Sequence, residues 1–279
     1  MIVRVLDATK QFDEWCETIM QLPIALRDRY FYPNWVALHK FDSNTRALMF
    51  TCEHQGKIWT YPFLLESITH VGETKLEQTW CDIQTAYGYG GPLSNTSNTD
   101  FLNDSYSLFN EWCQSQQVVA EFVRFHPLIQ NMQWVDSATK ITLDRETTSL
   151  DFSCLSQTDL PFDKKTRNIL KRADKLDIDI VQSVDYDDFI KFVIMYKSAM
   201  DRVKAEKYLH FTEKYFDQLF DLVQKNGFIL LAKHDDQYIS GALFVYGSIW
   251  MHYHLAASCG DRMVTGANNK LLITAAHIG

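Results

Sequence analysis

The chain has 279 residues, of which 46 % are hydrophobic and 14 % aromatic, so it can fill a sizeable core and global disorder is not expected. Its formal charge of −8 argues against a general polyanion-binding protein, although a local basic patch is compatible with it. The six cysteines show no disulfide-type or zinc-type spacing, the N-terminus shows no signal-peptide pattern, and no apolar run reaches the ~20 residues of a membrane span. We therefore expect a cytoplasmic protein with free thiols.

The first half of the sequence alternates between strand-like and helix-like segments. A strand at 2–6 is followed by a helix capped by Thr9 and a second helix around 33–41. The runs "RALMFTCE" and "KIWTYPFLLESI", joined by "HQG", predict a hairpin. After a glycine-rich stretch, residues 100–116 predict a helix and residues 118–125 a strand.

The second half repeats this order of elements. A strand at 178–184 precedes two amphipathic helices, "YDDFIKFVIMYKSAMDRV" and "TEKYFDQLFDLVQKN". Three strands follow, at 227–234, 237–247 and 248–258, and a final helix covers 266–279. The shared order predicts an α+β protein with two domains, 1–150 and 151–279, each with a mixed, mostly antiparallel sheet. The second sheet is expected to lack its last strands.

Five strings in this order resemble the FemABX group, whose members carry two GNAT acyltransferase units in tandem. They are "DIQTAYGYGGPL", "EFVRFHPL", "KKTRNILKRADK", "YKSAMDRVKAEKYLHFTEKYF", and "MHYHLAAS" with "GANNKLL". The resemblance implies a transferase of cell-wall or polysaccharide biosynthesis. Members normally continue beyond the last helix, and the helical arm of the tRNA-using members is missing here. That departure puts a tRNA donor in doubt.

The implied reaction moves an acyl or aminoacyl group to an amine of a nucleotide-sugar, polysaccharide or peptidoglycan precursor. Acyl-CoA is favoured as the donor and aminoacyl-tRNA is the alternative. No metal cofactor is expected. The competing hypothesis is a catalytically inactive relative that serves as a ligand-binding or interaction module.

Such a transfer needs a base for the proton of the attacking amine, and two residues are candidates. Asp82 precedes the glycine-rich stretch, and His254 lies in the last strand. The string "MHYHL" predicts His252 and His254 on one face and Tyr253, a substrate-binding candidate, on the other. A buried histidine with a purely structural role is the alternative for His254.

The stretch "TAYGYGGPL" (85–93) is the candidate acceptor site. Glycine permits close approach of a ligand to the main chain, and Tyr87 and Tyr89 offer flat faces with hydroxyl groups beside Gly90. Arg124 and His126, predicted on one face of the following strand, could bind a phosphate and relay a proton. A tight turn packed by its own tyrosines is the alternative.

Two further segments are candidates for phosphate binding. In the helix 164–175 a stripe of cations, including Arg167 and Lys171, could bind acceptor phosphates or simply face solvent. The string "RMVTGA" and the residue after it supply Arg262, Gly266, Ala267 and Asn268 as candidates for the donor pyrophosphate. Thr265 stands where the family has glycine, so an ordinary helix start capped by Thr265 or Asn268 is the alternative.

Overall fold

A computed structural model of the chain describes residues 1–40, 42–152, 162–260 and 266–278. It divides into two compact units: unit 1 contains Met1–Glu146 and Gly247–Ile249, and unit 2 contains Thr147–Tyr246 and Trp250–Gly279. The described residues form a mixed α/β structure with seven α-helices and two sheets. None of the helices in these ranges combines the length and the apolar character needed to cross a membrane.

Unit 1 is built on a six-stranded sheet. Its strands are β1 (Ile2–Asp7), β2 (Thr45–His54), β3 (Lys57–Val71), β4 (Thr74–Gln84), β5 (Leu93–Ser94) and β6 (Val118–Phe122). Strands β1 to β4 are antiparallel neighbours, the short β5 pairs with β3, and β6 lies parallel to β4. The predicted hairpin is confirmed as β2 and β3, with Gln55 and Gly56 at positive φ in its turn.

The central strands of this sheet are buried on both faces because helices cover it. The helices are α1 (Phe12–Met20), α2 (Pro33–Leu38) and α3 (Thr99–Ser115). Along β2, the buried Met49 and Thr51 alternate with the buried Phe50 and Cys52. One side forms an aromatic core with α3, and α1 and α2 contact the first three strands. The aromatic core of unit 1 includes Phe50, Trp59, Tyr61, Phe63 and Phe109, with the partly buried Trp112 against them.

The prediction that Thr9 caps the first helix is wrong. Helix α1 begins at Phe12, with Gln11 before it. The carboxylate of Asp7 accepts the main-chain N–H of Thr9 at 3.0 Å and that of Lys10 at 3.2 Å. Thr9 therefore lies in a turn that Asp7 stabilises between β1 and α1.

Unit 2 contains a four-stranded antiparallel sheet within the described residues. Its elements are α4 (Lys164–Lys175), β7 (Asp179–Ser183), α5 (Tyr186–Val203), α6 (Glu213–Asn226), β8 (Gly227–His234), β9 (Gln237–Tyr246), β10 (Met251–Ser258) and α7 (Ala267–Ile278). The strand order is β10-β9-β8-β7. The last predicted strand is confirmed but begins at Met251 rather than at 248.

Helices also pack against the sheet of unit 2 and form its core. Ala173 of α4 and Leu271 of α7 pack in one cluster with Phe228, Leu230 and Phe244 of the sheet. Helices α5 and α6 contact strands β8 to β10. Each helix and strand predicted from the sequence is present, with small differences at the ends.

Candidate active site

The glycines of the stretch 85–93 let the chain approach its own side chains. Gly88 has φ +104°, and a Cβ there would lie 2.7 Å from the Tyr30 ring. At Gly90 a Cβ would lie 2.7 Å from the Cγ2 atom of Thr85. The contacts that require glycine at these two positions are therefore contacts within unit 1.

Asn131 ties this stretch to the rest of unit 1. Its buried amide nitrogen donates to the carbonyl of Gly90 at 2.7 Å and to that of Pro92 at 3.1 Å. Its amide oxygen accepts the main-chain N–H of His126 at 2.8 Å. One side chain thereby holds two separate segments together.

The two tyrosines of the stretch are half-buried among aromatic rings. The Tyr87 ring stacks at 6.0 Å on that of His39, and its carbonyl accepts the indole N–H of Trp35 at 3.1 Å. The Tyr89 ring meets that of Tyr30 edge-on at 5.6 Å. Both rings pack against neighbouring aromatic rings, which is compatible with the alternative that this stretch is a tight turn packed by its own tyrosines.

The prediction that Arg124 and His126 share one face of a strand is wrong. Strand β6 ends at Phe122, and the chain beyond it no longer alternates. Arg124 is exposed, with its guanidinium 5.9 Å from the Phe122 ring centroid. His126 is buried, and its Nδ1 accepts the N–H groups of Leu128 at 3.3 Å and Ile129 at 3.2 Å.

His126 also lies beside a buried carboxylate that sequence reasoning missed. Its Nε2 is 3.8 Å from Oδ2 of Asp28, and both side chains are inaccessible to solvent. Because Nδ1 accepts two N–H bonds, the ring proton resides on Nε2 and faces Asp28. Burial, and then the charge of Asp28, raise the pKa of the Tyr30 hydroxyl well above its usual value. No sequence pattern links Asp28 to His126, which are far apart in the chain.

Asp82 has the features of a base in a partly enclosed environment. It lies on β4 opposite Glu66 of β3. Its buried Oδ1 has no hydrogen-bond partner among the described residues. Burial raises the pKa of Asp82, and burial followed by the charge of Asp82 raises that of Glu66. A carboxyl group with a raised pKa holds a proton more readily near neutral pH.

The second base candidate, His254, lies at an irregularity of β10. Tyr253 lies opposite Phe244 of β9 and Leu255 lies opposite Leu243, so the register shifts between them and His254 is at a β-bulge. His254 and Leu255 are both buried, while Tyr253 is 48 % exposed and His252 half-buried. The bulge interrupts the regular alternation of β10 at His254, and the prediction that His252 and His254 share one face stays a prediction.

The imidazole of His254 is held by a tyrosine that sequence reasoning did not single out. The hydroxyl of Tyr215 lies 2.9 Å from Nε2 of His254, and both side chains are buried. Tyr215 lies in the first turn of α6, where Thr212 caps the helix by accepting the N–H of Tyr215 at 3.2 Å. The Phe211 ring stacks on the Tyr215 ring at 4.0 Å. The cap and the adjacent aromatics in "HFTEKYF" are the signal that could have drawn attention to it.

The candidate donor site at α7 is partly described. Arg262 lies outside the described residues. Gly266 has φ +78°, and a Cβ there would lie 2.8 Å from Ile169 of α4. Ala267 is buried at the start of α7. The main-chain N–H of Lys270 donates to the carbonyl of Gly266 at 3.1 Å in the first turn of the helix.

The Asn268 side chain is turned toward the sheet. Its Oδ1 accepts the hydroxyl of Ser258 at 2.9 Å and that of Ser240. Asn268 is the second residue of α7, so it does not cap the helix. The side chain connects α7 with the ends of β9 and β10.

Arg167 and Lys171 lie exposed on α4 in unit 2. The other acceptor-site candidates, Tyr87, Tyr89 and Arg124, belong to unit 1. The hypothesis that all five bind one acceptor stays a prediction.

Comparison with known proteins finds similarity at the level of structure. No protein-family model matches the chain, and a search of curated proteins finds no match. The solved structure titled "Crystal structure of FemX" has a TM-score of 0.64 and 14 % identity, over 100 % of this chain and 85 % of that one. The C-terminal domain of a putative lysylphosphatidylglycerol synthetase from Agrobacterium fabrum has a TM-score of 0.56 and 11 % identity. The match covers 94 % of this chain and 75 % of that one. The resemblance to the FemABX and GNAT-like proteins is thus confirmed at the level of fold.

Proposed function

We propose that this protein is an N-acyltransferase built from two GNAT-like domains in tandem. It would move an acyl or aminoacyl group from an activated donor to an amine of a nucleotide-sugar, polysaccharide or peptidoglycan precursor. The observation that carries the proposal is the bulge of β10, which places the buried His254 against Tyr215 in a chain with the fold of FemX. The second structural neighbour is, by its title, a domain of a putative lysylphosphatidylglycerol synthetase, which is compatible with an acyltransferase.

In the proposed reaction a neutral amine attacks the donor carbonyl, and the leaving group departs after the nitrogen loses a proton. His254 takes up that proton, while Tyr215 orients the imidazole through its hydrogen bond to Nε2. Asp82 is the second base candidate, because burial raises its pKa.

A small thioester such as acyl-CoA is favoured over aminoacyl-tRNA as the donor. The chain carries a formal charge of −8, whereas tRNA binding rests on many phosphate contacts. The pyrophosphate of CoA needs only a few N–H groups, which the first turn of α7 would supply with Arg262, Gly266, Ala267 and Asn268 beside it.

The acceptor is proposed to bind through exposed groups, of which one lies in unit 1 and three lie in unit 2. Arg124 and Tyr253 are accessible for a phosphate and a sugar ring, and Arg167 and Lys171 for further phosphates. The remaining candidates, Tyr87, Tyr89, Gly90 and His126, would act mainly by shaping the loop.

The test is a transfer assay read by mass spectrometry. Purified protein is incubated with acetyl-CoA and amino-bearing nucleotide-sugars, and the expected product is the acetylated amine with release of CoA. Melting scans with CoA, acetyl-CoA and bulk tRNA identify the donor, since a ligand at 100 times its Kd stabilises by roughly 2.7 kcal/mol. A salt-sensitive shift with tRNA and none with either CoA would reverse the choice of donor.

One observation favours the second candidate, an inactive relative that binds a ligand or partner. The glycine-rich stretch is filled by side chains of unit 1, and Asn268 is engaged by two serines. No product with any donor, and no melting shift with any of the three ligands, would favour this candidate.

A further inference from the structure

Helix α4 presents a wide cationic surface. Six of its twelve residues are basic: Lys164, Lys165, Arg167, Lys171, Arg172 and Lys175. All six are exposed, and at 3.6 residues per turn they cover an arc of about 160° around the helix. We call these six side chains the α4 basic face. It includes Lys165 and Arg172, which lie outside the stripe recognised in the sequence.

Nearby carboxylates balance the charge of the α4 basic face only in part, since the N-cap residue Asp163 interacts electrostatically with Lys165 and Arg167. Within the described part of the chain, none of the six cations forms an ion pair. The one carboxylate in the helix, Asp174, lies at the edge of the arc and pairs with Lys270 of α7 at 3.1 Å. With six cations and one carboxylate, α4 carries a net charge of +5 in a chain whose total is −8.

The side of α4 opposite the cations packs on the core of unit 2, so the cations face outward. Ala173 is fully buried in the core of unit 2, and Ile169 contacts the backbone at Gly266. The exposed side carries a shallow open depression lined by Lys164, Lys165, Asn168, Ile169 and Arg172. The cations are therefore held on one outward, convex side of a helix about 18 Å long.

We propose that the α4 basic face docks the protein onto the surface of an anionic phospholipid bilayer. Six cations over such an arc exceed what one or two acceptor phosphates can contact, whereas a bilayer offers a continuous layer of anionic headgroups. Basic clusters of this size on an amphipathic helix are typical of attraction to acidic lipids. A nucleic acid is the alternative occupant, and binding of bulk tRNA in the experiment below distinguishes it from a bilayer.

The experiment is co-sedimentation of the full chain with vesicles. One set is phosphatidylcholine alone and the other contains about one third phosphatidylglycerol. The expected result is binding to the anionic vesicles only, and weaker binding as salt is raised, because salt screens exposed charges.

A matched pair of triple variants locates the surface. Lys164→Gln, Lys165→Gln and Arg172→Gln remove three cations of the α4 basic face and leave Arg167 and Lys171 unchanged. Lys207→Gln, Lys214→Gln and Lys225→Gln remove three exposed cations elsewhere in unit 2. The first variant should bind anionic vesicles about 100-fold more weakly, and the control should bind like the wild type. Equal melting temperatures would show that both variants are folded.

Several results would overturn the proposal. They are equal binding to neutral vesicles, equal effects of the two variants, or binding of bulk tRNA without binding of anionic vesicles. Self-association in sedimentation velocity that only the first variant abolishes would instead assign the surface to a second copy of the chain. Vesicle binding is measured without an acyl donor, so its failure leaves the proposed transferase activity untouched.

Discussion

The glycine-rich stretch of unit 1 follows β4, the fourth antiparallel strand of its sheet, and β10 is the fourth strand of the sheet in unit 2, yet these two regions are built differently. In unit 1 the stretch is closed by Tyr30, Thr85 and Asn131, which occupy the space that the glycines leave. In unit 2 the strand carries a bulge, and the bulge holds His254 against Tyr215. The glycines of unit 1 are needed for close packing within that unit. The proposed base in unit 2, by contrast, is positioned by a β-bulge that no unusual composition marks.

The strongest test of this comparison is the loss of the imidazole in unit 2. His254→Gln should lower the transfer rate by about 10²–10⁴-fold, the usual contribution of a general base. Steady-state kinetics of the transfer measure this effect, and His70→Gln, at the exposed end of β3 in unit 1, is the control. If His254→Gln keeps full activity while Asp82→Asn loses it, the base lies in unit 1 and the comparison is reversed.

A second test probes the closed stretch of unit 1. Gly88→Ala places a Cβ against the buried Tyr30 ring at a positive φ, so we expect a loss of about 2–4 kcal/mol in the free energy of unfolding. Gly72→Ala is the control, because Gly72 also has a positive φ but nothing lies within 4 Å of its Cβ position. The control should lose only about 1 kcal/mol. Urea unfolding followed by circular dichroism measures both, and equal losses would mean that the stretch is not closely packed.

A third test uses pH, because a buried histidine lies beneath the same stretch. Burial lowers the pKa of His39 to about 4, and its Nδ1 donates to the carbonyl of Trp35 at 2.9 Å. The native state therefore stays unprotonated there while the unfolded state takes up a proton below pH 6.5. Stability is fully present above pH 6.5 and should fall by about 2 kcal/mol between pH 6.5 and pH 5.

The variant His39→Gln isolates this contribution. Urea unfolding at a series of pH values should show a smaller loss of stability on acidification than in the wild type. Parallel pH dependence of the two proteins would indicate that His39 titrates normally and that the region beneath Tyr87 is open to solvent.

The smallest expected effect concerns the hydroxyl that orients His254. Tyr215→Phe removes one buried hydrogen bond, so unfolding should become easier by about 1 kcal/mol and the transfer rate should fall by roughly 10-fold. Tyr208→Phe, at an exposed tyrosine of unit 2, is the control. A Tyr215→Phe variant with a normal rate and a normal pH profile of the rate would restrict this tyrosine to a structural role.

The sequence predicts the helices and strands well because their periodicity is strong. The α4 cations and the β2–β3 hairpin follow from local pattern alone. The bulge at His254 could not be predicted, because it depends on the register of β10 against β9. The Asp28–His126 and Tyr215–His254 contacts could not be predicted either, because each joins residues that are distant in the chain. The predicted cap at Thr9 fails because the carboxylate of Asp7 accepts the N–H of Thr9 and so forms a turn before α1 begins.

The aromatic core of unit 1 makes the intrinsic fluorescence of this protein a local signal. Six of the seven tryptophans lie in unit 1, and the seventh, Trp250, lies in unit 2. Emission excited selectively at tryptophan therefore reports mainly on unit 1, where Trp59 is surrounded by aromatic rings. Far-ultraviolet dichroism averages over both units. A difference between the two signals during unfolding would separate the melting of unit 1 from that of unit 2 without any label.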